Sequence, residues 1–237
     1  MRKLLIGAVA ASATFAIAAG AIAQTPESTF TAKISPKDAG TTKNPKNTTL
    51  QFGVTLNRPG TTVEFIDLQL PRGLKMSGKG FRRCSLETIG LNPSECPSGS
   101  KAGPQGTAAA VLGPNNTPLH FTVQSYVVND TTLGFYVNET TGIQVQAPLE
   151  GKLTDSGRHL RITIPFALRQ PVPGLDASLT GIEQTFKGKR GTKYIVSSVG
   201  CKKRKHKFSG ELTFATRADG APVPPPVPLA TRAKCSK

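Results

Sequence analysis

Four consecutive residues, Ser98-Gly99-Ser100-Lys101, have the Ser-x-x-Lys spacing that acyl-transfer enzymes use to place a lysine beside a nucleophilic serine. That chemistry requires the motif to open a helix, so that the lysine faces the serine, and it requires companion motifs elsewhere in the chain. Here the motif lies between Cys96-Pro97 and Gly103-Pro104, in turn-forming sequence, and the companions are missing. We therefore interpret the spacing as coincidental.

Other residue types that support catalysis are present but scattered. The histidines, His120, His159 and His206, fall within no metal-ligand or catalytic-triad spacing and are expected to be structural or solvated. Nothing in the sequence pairs the carboxylates that would suit glycoside hydrolysis, which are Glu64, Asp67, Glu139, Glu150 and Asp155. The chain has no tryptophan and three tyrosines, so platforms for sugar stacking are scarce. We predict no catalytic residues, no metal site and no other cofactor.

The densest charged cluster directly follows Cys201. Its cations are Lys202, Lys203, Arg204, Lys205 and Lys207, with His206 among them. One interpretation is an anion-binding patch whose affinity falls with salt. The other is a solvated hairpin tip, whose self-repulsion prevents pairing with other chains. Further cations join the cluster if the strands near Tyr194 and Phe208 pair as a hairpin; they are Lys187, Lys189, Arg190 and Lys193.

The four cysteines are Cys84, Cys96, Cys201 and Cys235. An even number predicts two disulfides, for which three pairings exist. We favour Cys84–Cys96 and Cys201–Cys235, because each pair flanks its own loop. A zinc site is the alternative, but it needs ligand pairs close in sequence, such as Cys-x2-Cys, and the chain has none.

The first residues predict export. Two basic residues precede an apolar run that ends in small residues at Ala23, and these are the parts of a secretory signal peptide. A membrane anchor is the alternative, but the run is rich in Ala and Gly and polar sequence follows it. We predict a signal peptide over residues 1–23 and a mature protein over 24–237. No later segment has the ~20 apolar residues that a membrane-spanning helix needs.

The chain is strongly basic, with 30 lysines and arginines, 14 acidic residues and a formal net charge of +16. Removal of residues 1–23 takes away Arg2 and Lys3 and leaves 28 basic residues and a charge of +14. For an exported protein, this charge indicates anionic wall polymers, acidic glycans, lipid headgroups or another envelope protein as partners. Nucleic acid is a poor candidate for a protein outside the cell.

Apolar and polar residues alternate along most of the mature chain, which predicts about ten short strands separated by Gly, Pro and Asn turns. The strongest run extends from Leu160 to Leu168, where Pro165 indicates an edge position or a bulge. A one-residue shift of the apolar phase between Phe65 and Ile66 predicts a β-bulge. The small residues of 107–111 predict a strand packed tightly against a neighbour. The only predicted helix spans 86–91, with Ser85 as its N-cap.

We therefore predict an all-β fold, namely an antiparallel β-sandwich of immunoglobulin-like or jelly-roll-like type with two disulfides. Residues 24–237 are expected to form a single large domain, and two small β domains split near 113–118 are the alternative. A proline-rich C-terminal strap over 221–229 is expected to be tied back across the last hairpin by Cys235.

Several short motifs occur together in this chain. They are the signal peptide, the strand end Leu70-Pro71-Arg72-Gly73-Leu74, Cys84 followed by Cys96-Pro97-Ser98-Gly99-Ser100, and the pair Cys201 and Cys235 around a final hairpin. In these features the chain resembles a group of uncharacterised secreted β-rich proteins of high-GC Gram-positive bacteria. The resemblance implies an exported envelope or extracellular protein, and it carries no known active site.

Together these observations predict a non-catalytic, envelope-associated or extracellular protein whose basic surface binds an anionic polymer or a protein partner. Two alternatives stay open. One is a secreted hydrolase whose site is assembled from scattered side chains. The other is a carrier that holds an apolar ligand between its sheets.

Overall fold

A computed structural model describes residues 27–142 and 145–236 of the protein. The predicted signal peptide lies outside the described residues. Within them, no helix is long and apolar enough to cross a membrane.

Strands make up 53% of the structure and helices 9%, and turns and loops connect them. The strands are β1 (Ser28–Ser35), β2 (Lys46–Asn47), β3 (Thr49–Leu56), β4 (Val63–Gln69), β5 (Leu74–Met76), β6 (Gly106–Leu112), β7 (Thr117–Asn129), β8 (Thr132–Glu139), β9 (Gln146–Thr154), β10 (His159–Thr163), β11 (Ala177–Phe186), β12 (Lys189–Arg190), β13 (Lys193–Tyr194), β14 (Val196–Ser198), β15 (Lys205–Phe214) and β16 (Val227–Lys234). The helices are α1 (Leu86–Leu91) and α2 (Phe166–Arg169). Single 3₁₀ turns occupy Pro93–Glu95, Ser98–Ser100 and Asp155–Gly157.

Eleven strands form one antiparallel sheet in the order β1-β3-β11-β6-β7-β8-β9-β10-β4-β15-β16. The sheet curls until its two ends meet: β1 contacts β16, and Asp38 forms a bridge with Ser236 just beyond them. The all-β class is therefore confirmed. The strands lie in a single, nearly closed sheet, and the predicted sandwich of two packed sheets is not confirmed. Short strands form two small additional sheets, β2-β14-β5 and β12-β13.

The interior of the curled sheet holds the main core, because alternate residues of each strand point inward. On β3, for example, Leu50, Phe52, Val54 and Leu56 are all buried. Phe52 stacks on Phe186 of β11 with ring centroids 5.8 Å apart, and Phe135 of β8 meets Phe186 edge-on at 6.2 Å. The period-2 pattern of the sequence therefore reflects one inward and one outward face.

The phase shift in β4 is a bulge, as predicted. Thr213 of β15 pairs with Phe65, whereas the next residue, Phe214, pairs with Val63, so that Glu64 is the extra residue. The run Leu160 to Leu168, by contrast, is a strand only as far as Thr163 and then turns into α2. Pro165 explains the change, because proline cannot donate to a strand ladder but is well suited to the start of a helix.

The first disulfide, Cys84–Cys96, closes a loop that lies on the outer surface of the sheet. The loop contains α1, which begins after Ser85, as predicted; the Ser85 hydroxyl accepts a hydrogen bond from the Thr88 amide at 3.0 Å. The fully buried Ile89 lies against β8, where Gly134 leaves room for it. Together with the disulfide and Tyr126, Ile89 forms a second, smaller apolar cluster outside the main core.

The second disulfide, Cys201–Cys235, joins the start of the last hairpin to its end. Strand β16 begins at Val227, inside the segment predicted as a strap, and pairs with β15 over its whole length. Both predicted pairings of the cysteines are confirmed, and among the described residues no cysteine is free.

Candidate functional site

The predicted anion-binding residues lie together at one end of the last hairpin. Lys202, Lys203 and Arg204 form the turn that leads into β15, and Lys205 and Lys207 occupy its outward-facing positions. All five side chains are exposed. Lys203 and Arg204 have left-handed backbones, with φ of 55° and 56°. Such a conformation is uncommon for residues other than glycine, so the turn places its cations at a backbone cost.

Strand β16 contributes two further cations that sequence reasoning missed. In the register of the hairpin, Lys205 is opposite Lys234 and Lys207 is opposite Arg232. Arg232 and Lys234 are exposed and point outward, while Ala233 between them is buried. The alternation of Val227, Leu229 and Ala233 indicates a strand in this segment, whereas the prolines before Val227 favour an irregular strap. We call the set Lys202, Lys203, Arg204, Lys205, Lys207, Arg232 and Lys234 the basic face.

No acidic side chain of the described residues pairs with the basic face, although Asp38 lies beside its end, where it accepts a hydrogen bond from Ser236. Over residues 27–142 and 145–236, none of its cations takes part in an ion pair. Like charges directly opposite each other weaken a pair of strands. The neighbouring strand β1 adds the exposed Lys33. The exposed outward positions at this end of the hairpin are therefore mainly cationic.

Covalent and hydrogen bonds hold the turn of the basic face against β16. Cys201 immediately precedes the turn and is bonded to Cys235, which follows the last residue of β16. The Cys235 amide also donates a hydrogen bond to the Arg204 carbonyl at 3.1 Å. These links keep the repelling strands paired at the end where the charge is densest.

His206 lies within the cluster but points the other way. Its side chain is buried, and burial lowers the pKa of its imidazole below the ordinary value of 6.5. Gly73 leaves room for the ring, since a β-carbon there would lie 2.6 Å from His206 Cε1. His206 therefore packs on the inner side of β15 and is not part of the outward-facing cluster.

The second group of cations does not join the basic face. Lys189 and Arg190 form β12, which pairs with β13, whereas the strand that contains Phe208 pairs with β4 and β16. The hairpin between the Tyr194 and Phe208 segments, on which the joining of these cations depended, therefore does not form. The physical reason is that Cys201 ties its loop to the C-terminal strand, so β15 takes β16 as its hairpin partner.

A second polar cluster lies on the outer surface of β4, β9 and β10, around Asp67. His159 Nε2 is 2.8 Å from Asp67 Oδ1, and Thr154 Oγ1 is 2.9 Å from His159 Nδ1. This is the connectivity of a hydroxyl–imidazole–carboxylate chain. However, Arg161 holds the same carboxylate through Nε at 2.8 Å and Nη2 at 3.0 Å. The carboxylate is shared between the histidine and the arginine, so the cluster links β4 to β10 through charged hydrogen bonds.

The remaining predicted carboxylates are each engaged separately. Glu64 lies 3.7 Å from Arg169, Glu150 lies 3.4 Å from Lys152, and Asp155 lies 2.6 Å from Arg158. The hydrogen bond from the Arg158 guanidinium lowers the pKa of Asp155. Glu139 accepts hydrogen bonds from the amides of Thr141 and Gly142 at 2.6 and 2.9 Å. These contacts are ion pairs and hydrogen bonds within turns.

The Ser-x-x-Lys motif forms a 3₁₀ turn and opens no α-helix. The Lys101 amide donates a hydrogen bond to the Ser98 carbonyl. Ser100 is buried, and its hydroxyl donates a hydrogen bond to the Pro97 carbonyl at 2.6 Å. Among the described residues no group of three or more His, Cys, Asp or Glu could hold a metal ion.

Comparison of the chain with protein-family models, with curated proteins and with solved structures found no match.

Proposed function

We propose that this protein is a non-catalytic binding protein, exported and associated with the cell envelope, whose basic face binds a linear anionic polymer. The observation that carries the proposal is the double row of like charges on the last hairpin, Lys205 opposite Lys234 and Lys207 opposite Arg232. Such pairs weaken the hairpin, so the stability of the fold does not explain them. Binding of a polyanion does, because it would neutralise both rows of charge.

The spacing of the charges supports an extended ligand. Positions two residues apart on a strand are about 6.6 Å apart, and directly opposite residues have β-carbons about 4.5–5.5 Å apart. Lys205 and Lys207 on one strand and Arg232 and Lys234 on the other thus form two parallel rows. A chain polymer with one negative group per repeat can follow these rows over the turn to Lys202. The two disulfides fit the oxidising compartment that such a role requires.

The test is retention of the purified, oxidised protein on immobilised dextran sulfate, with uncharged dextran as the blank and a rising salt gradient. The test variant carries Lys205→Gln, Lys207→Gln, Arg232→Gln and Lys234→Gln. The chain supplies a matched control in Lys187→Gln, Lys189→Gln, Arg190→Gln and Lys193→Gln, which removes the same number of charges elsewhere. We expect the test variant to elute at clearly lower salt than both the control and the parent protein.

Equal weakening in the two variants would show that net charge alone drives retention, and would reject the basic face as the site. Absence of retention of the parent protein would reject a polyanion as the ligand. Co-sedimentation with isolated cell envelopes at low and high salt extends the test to native polymers. Sedimentation that survives high salt or is abolished by protease treatment of the envelopes would favour a protein partner.

A further inference from the structure

The interior of the curled sheet is incompletely filled. An apolar cavity of about 70 Å³ lies between its walls, bounded by inward side chains of seven strands, β4 and β6 to β11. The segment around α2 covers it on one side through Ile164, Leu168 and Arg169. The wall residues include Ala108, Ala110, Val123, Phe135, Leu149 and Ile162.

Small side chains on β6 produce the cavity. Ala108 and Ala110 line the cavity, and in the strand register they lie opposite the larger Phe121 and Leu119 of the adjacent strand β7. The small residues of β6 were expected to allow tight packing against a neighbour; here they line an open space. Protein interiors are normally packed to crystal density, and an apolar space of this kind does not attract water.

Arg169 introduces one polar group into this apolar lining. Its side chain is 20% exposed, and its Nη2 lies 3.7 Å from Glu64 Oε1. Its Nε is buried and has no hydrogen-bond partner among the described residues. A buried donor without an acceptor is rare in folded proteins, because desolvation costs it the bonds it makes in water.

We propose that the cavity binds a single aliphatic chain whose oxygen-bearing end accepts a hydrogen bond from Arg169. The lining determines the apolar part of the ligand, and the unpaired Nε determines the polar end. The volume limits the size of the ligand, since an engineered apolar cavity of roughly 150 Å³ binds one benzene molecule and this space is about half as large. The site is inside the sheet and is independent of the basic face.

The α2 segment borders the cavity through Ile164, Leu168 and Arg169. It connects β10 in one wall to β11 in the opposite wall, and it is short. Phe166 within it is 62% exposed, while Leu168 contacts the core. A chain that enters past α2 would bring its polar end to Arg169, which is the last residue of that helix.

The experiment is a calorimetric titration of the purified full chain, in high salt, with straight-chain carboxylates from acetate to octanoate. The corresponding primary alcohols form a second series, and these neutral ligands have no attraction to the basic face. We expect affinity to rise about fourfold with each added methylene until the cavity is full, and then to level off. Both series should show this dependence, because either kind of oxygen accepts a hydrogen bond.

Two variants on one strand test the location. Ala110→Leu fills the cavity and should weaken binding at least tenfold, while Ala109→Leu, on the opposite face of β6, should leave the affinity unchanged. Ala108→Val is a smaller filling change that serves if Ala110→Leu does not fold. Arg169→Met should weaken both series by a constant factor and leave the increment per methylene intact.

Absence of binding at every chain length would overturn the proposal. Unchanged affinity in both filling variants would place the ligand elsewhere, and unchanged affinity in Arg169→Met would remove the polar contact from it. Each of these outcomes leaves the dextran sulfate result unaffected, so the two proposals fail separately.

Discussion

Lys207 on β15 lies directly opposite Arg232 on β16, and both side chains are exposed on the outer surface of the sheet. The next outward pair along the hairpin, Lys205 and Lys234, repeats the arrangement. A hairpin selected only for stability would place opposite charges at these positions, because such pairs strengthen cross-strand contacts and like charges weaken them. A substitution that turns one of these like-charge pairs into an opposite-charge pair should therefore stabilise the hairpin.

Replacement of Arg232 by glutamate should stabilise the protein and weaken its retention on dextran sulfate. The new pair with Lys207 exchanges repulsion for attraction, which should raise the free energy of unfolding by about 0.5–1 kcal/mol. Arg232→Gln, as the control, should give about half that gain. Urea unfolding measures the stability at low ionic strength. A loss of stability in Arg232→Glu would mean that the cations already have a favourable environment.

The stability of the protein should fall as the pH decreases below about 6.5, and His206 should account for part of the fall. Burial lowers the pKa of His206 in the folded protein, whereas the unfolded chain binds the proton near the ordinary value of 6.5. The unfolded state then holds more protons than the folded state in this range, so acidification favours unfolding.

Urea unfolding at pH 7.5 and pH 5.5 checks this expectation. His206→Leu should show a smaller loss between the two pH values than the parent protein, even if its stability at pH 7.5 differs. His120→Gln is the control, because it removes an exposed histidine of β7 and leaves the surroundings of His206 intact. An identical loss in the parent protein and His206→Leu would contradict the assignment.

Asp67→Asn should destabilise the protein by about 1–3 kcal/mol, because hydrogen bonds to a charged group are the stronger ones and Asp67 accepts three of them. Asp67 is 8% exposed, so an asparagine at this position could not replace these bonds with water. The comparison is Asp130→Asn, which breaks an exposed ion pair with Arg83 at 2.9 Å and should cost under about 1 kcal/mol. Equal losses of unfolding free energy in the two variants, measured by urea unfolding, would show that the hydrogen bonds of Asp67 contribute no more than an exposed ion pair.

The two disulfides should differ in what their removal affects. Cys201–Cys235 closes a separation of 34 residues and Cys84–Cys96 one of 12. The chain-entropy relation then gives losses of about 4 and about 3 kcal/mol for paired alanine substitutions. Only the Cys201→Ala/Cys235→Ala variant should also elute from dextran sulfate at lower salt, because it frees the turn of the basic face. A similar shift in the Cys84→Ala/Cys96→Ala variant would argue against a local effect.

Local signals predicted the parts of the fold in which neighbours along the chain determine the structure. The helix α1 follows from Ser85 as a cap and from the short loop between Cys84 and Cys96. The bulge at Glu64 follows from a shift in apolar phase that only an extra residue can accommodate. Pro165 was the misleading signal, since the same residue suits an edge strand and the start of a helix. In the structure the chain turns into α2 after Pro165, and Leu168 of α2 packs against the core.

The candidate sites were less accessible from sequence because they join distant residues. His159 and Asp67 are 92 positions apart, and only the pairing of β10 with β4 brings them together. The same holds for the cavity, whose walls come from seven strands and exist only because the sheet curls on itself. No periodicity in a single strand encodes that closure.

By itself, the sequence determined the β-class, the two disulfides and the five cations of the 202–207 segment, because alternation, cysteine spacing and charge density are properties of short stretches. The tertiary structure decided that Arg232 and Lys234 complete the basic face, that His206 turns inward, and that Ala108 and Ala110 border an empty space. These depend on strand register and on the curvature of the sheet, which arise from contacts between segments far apart in the chain.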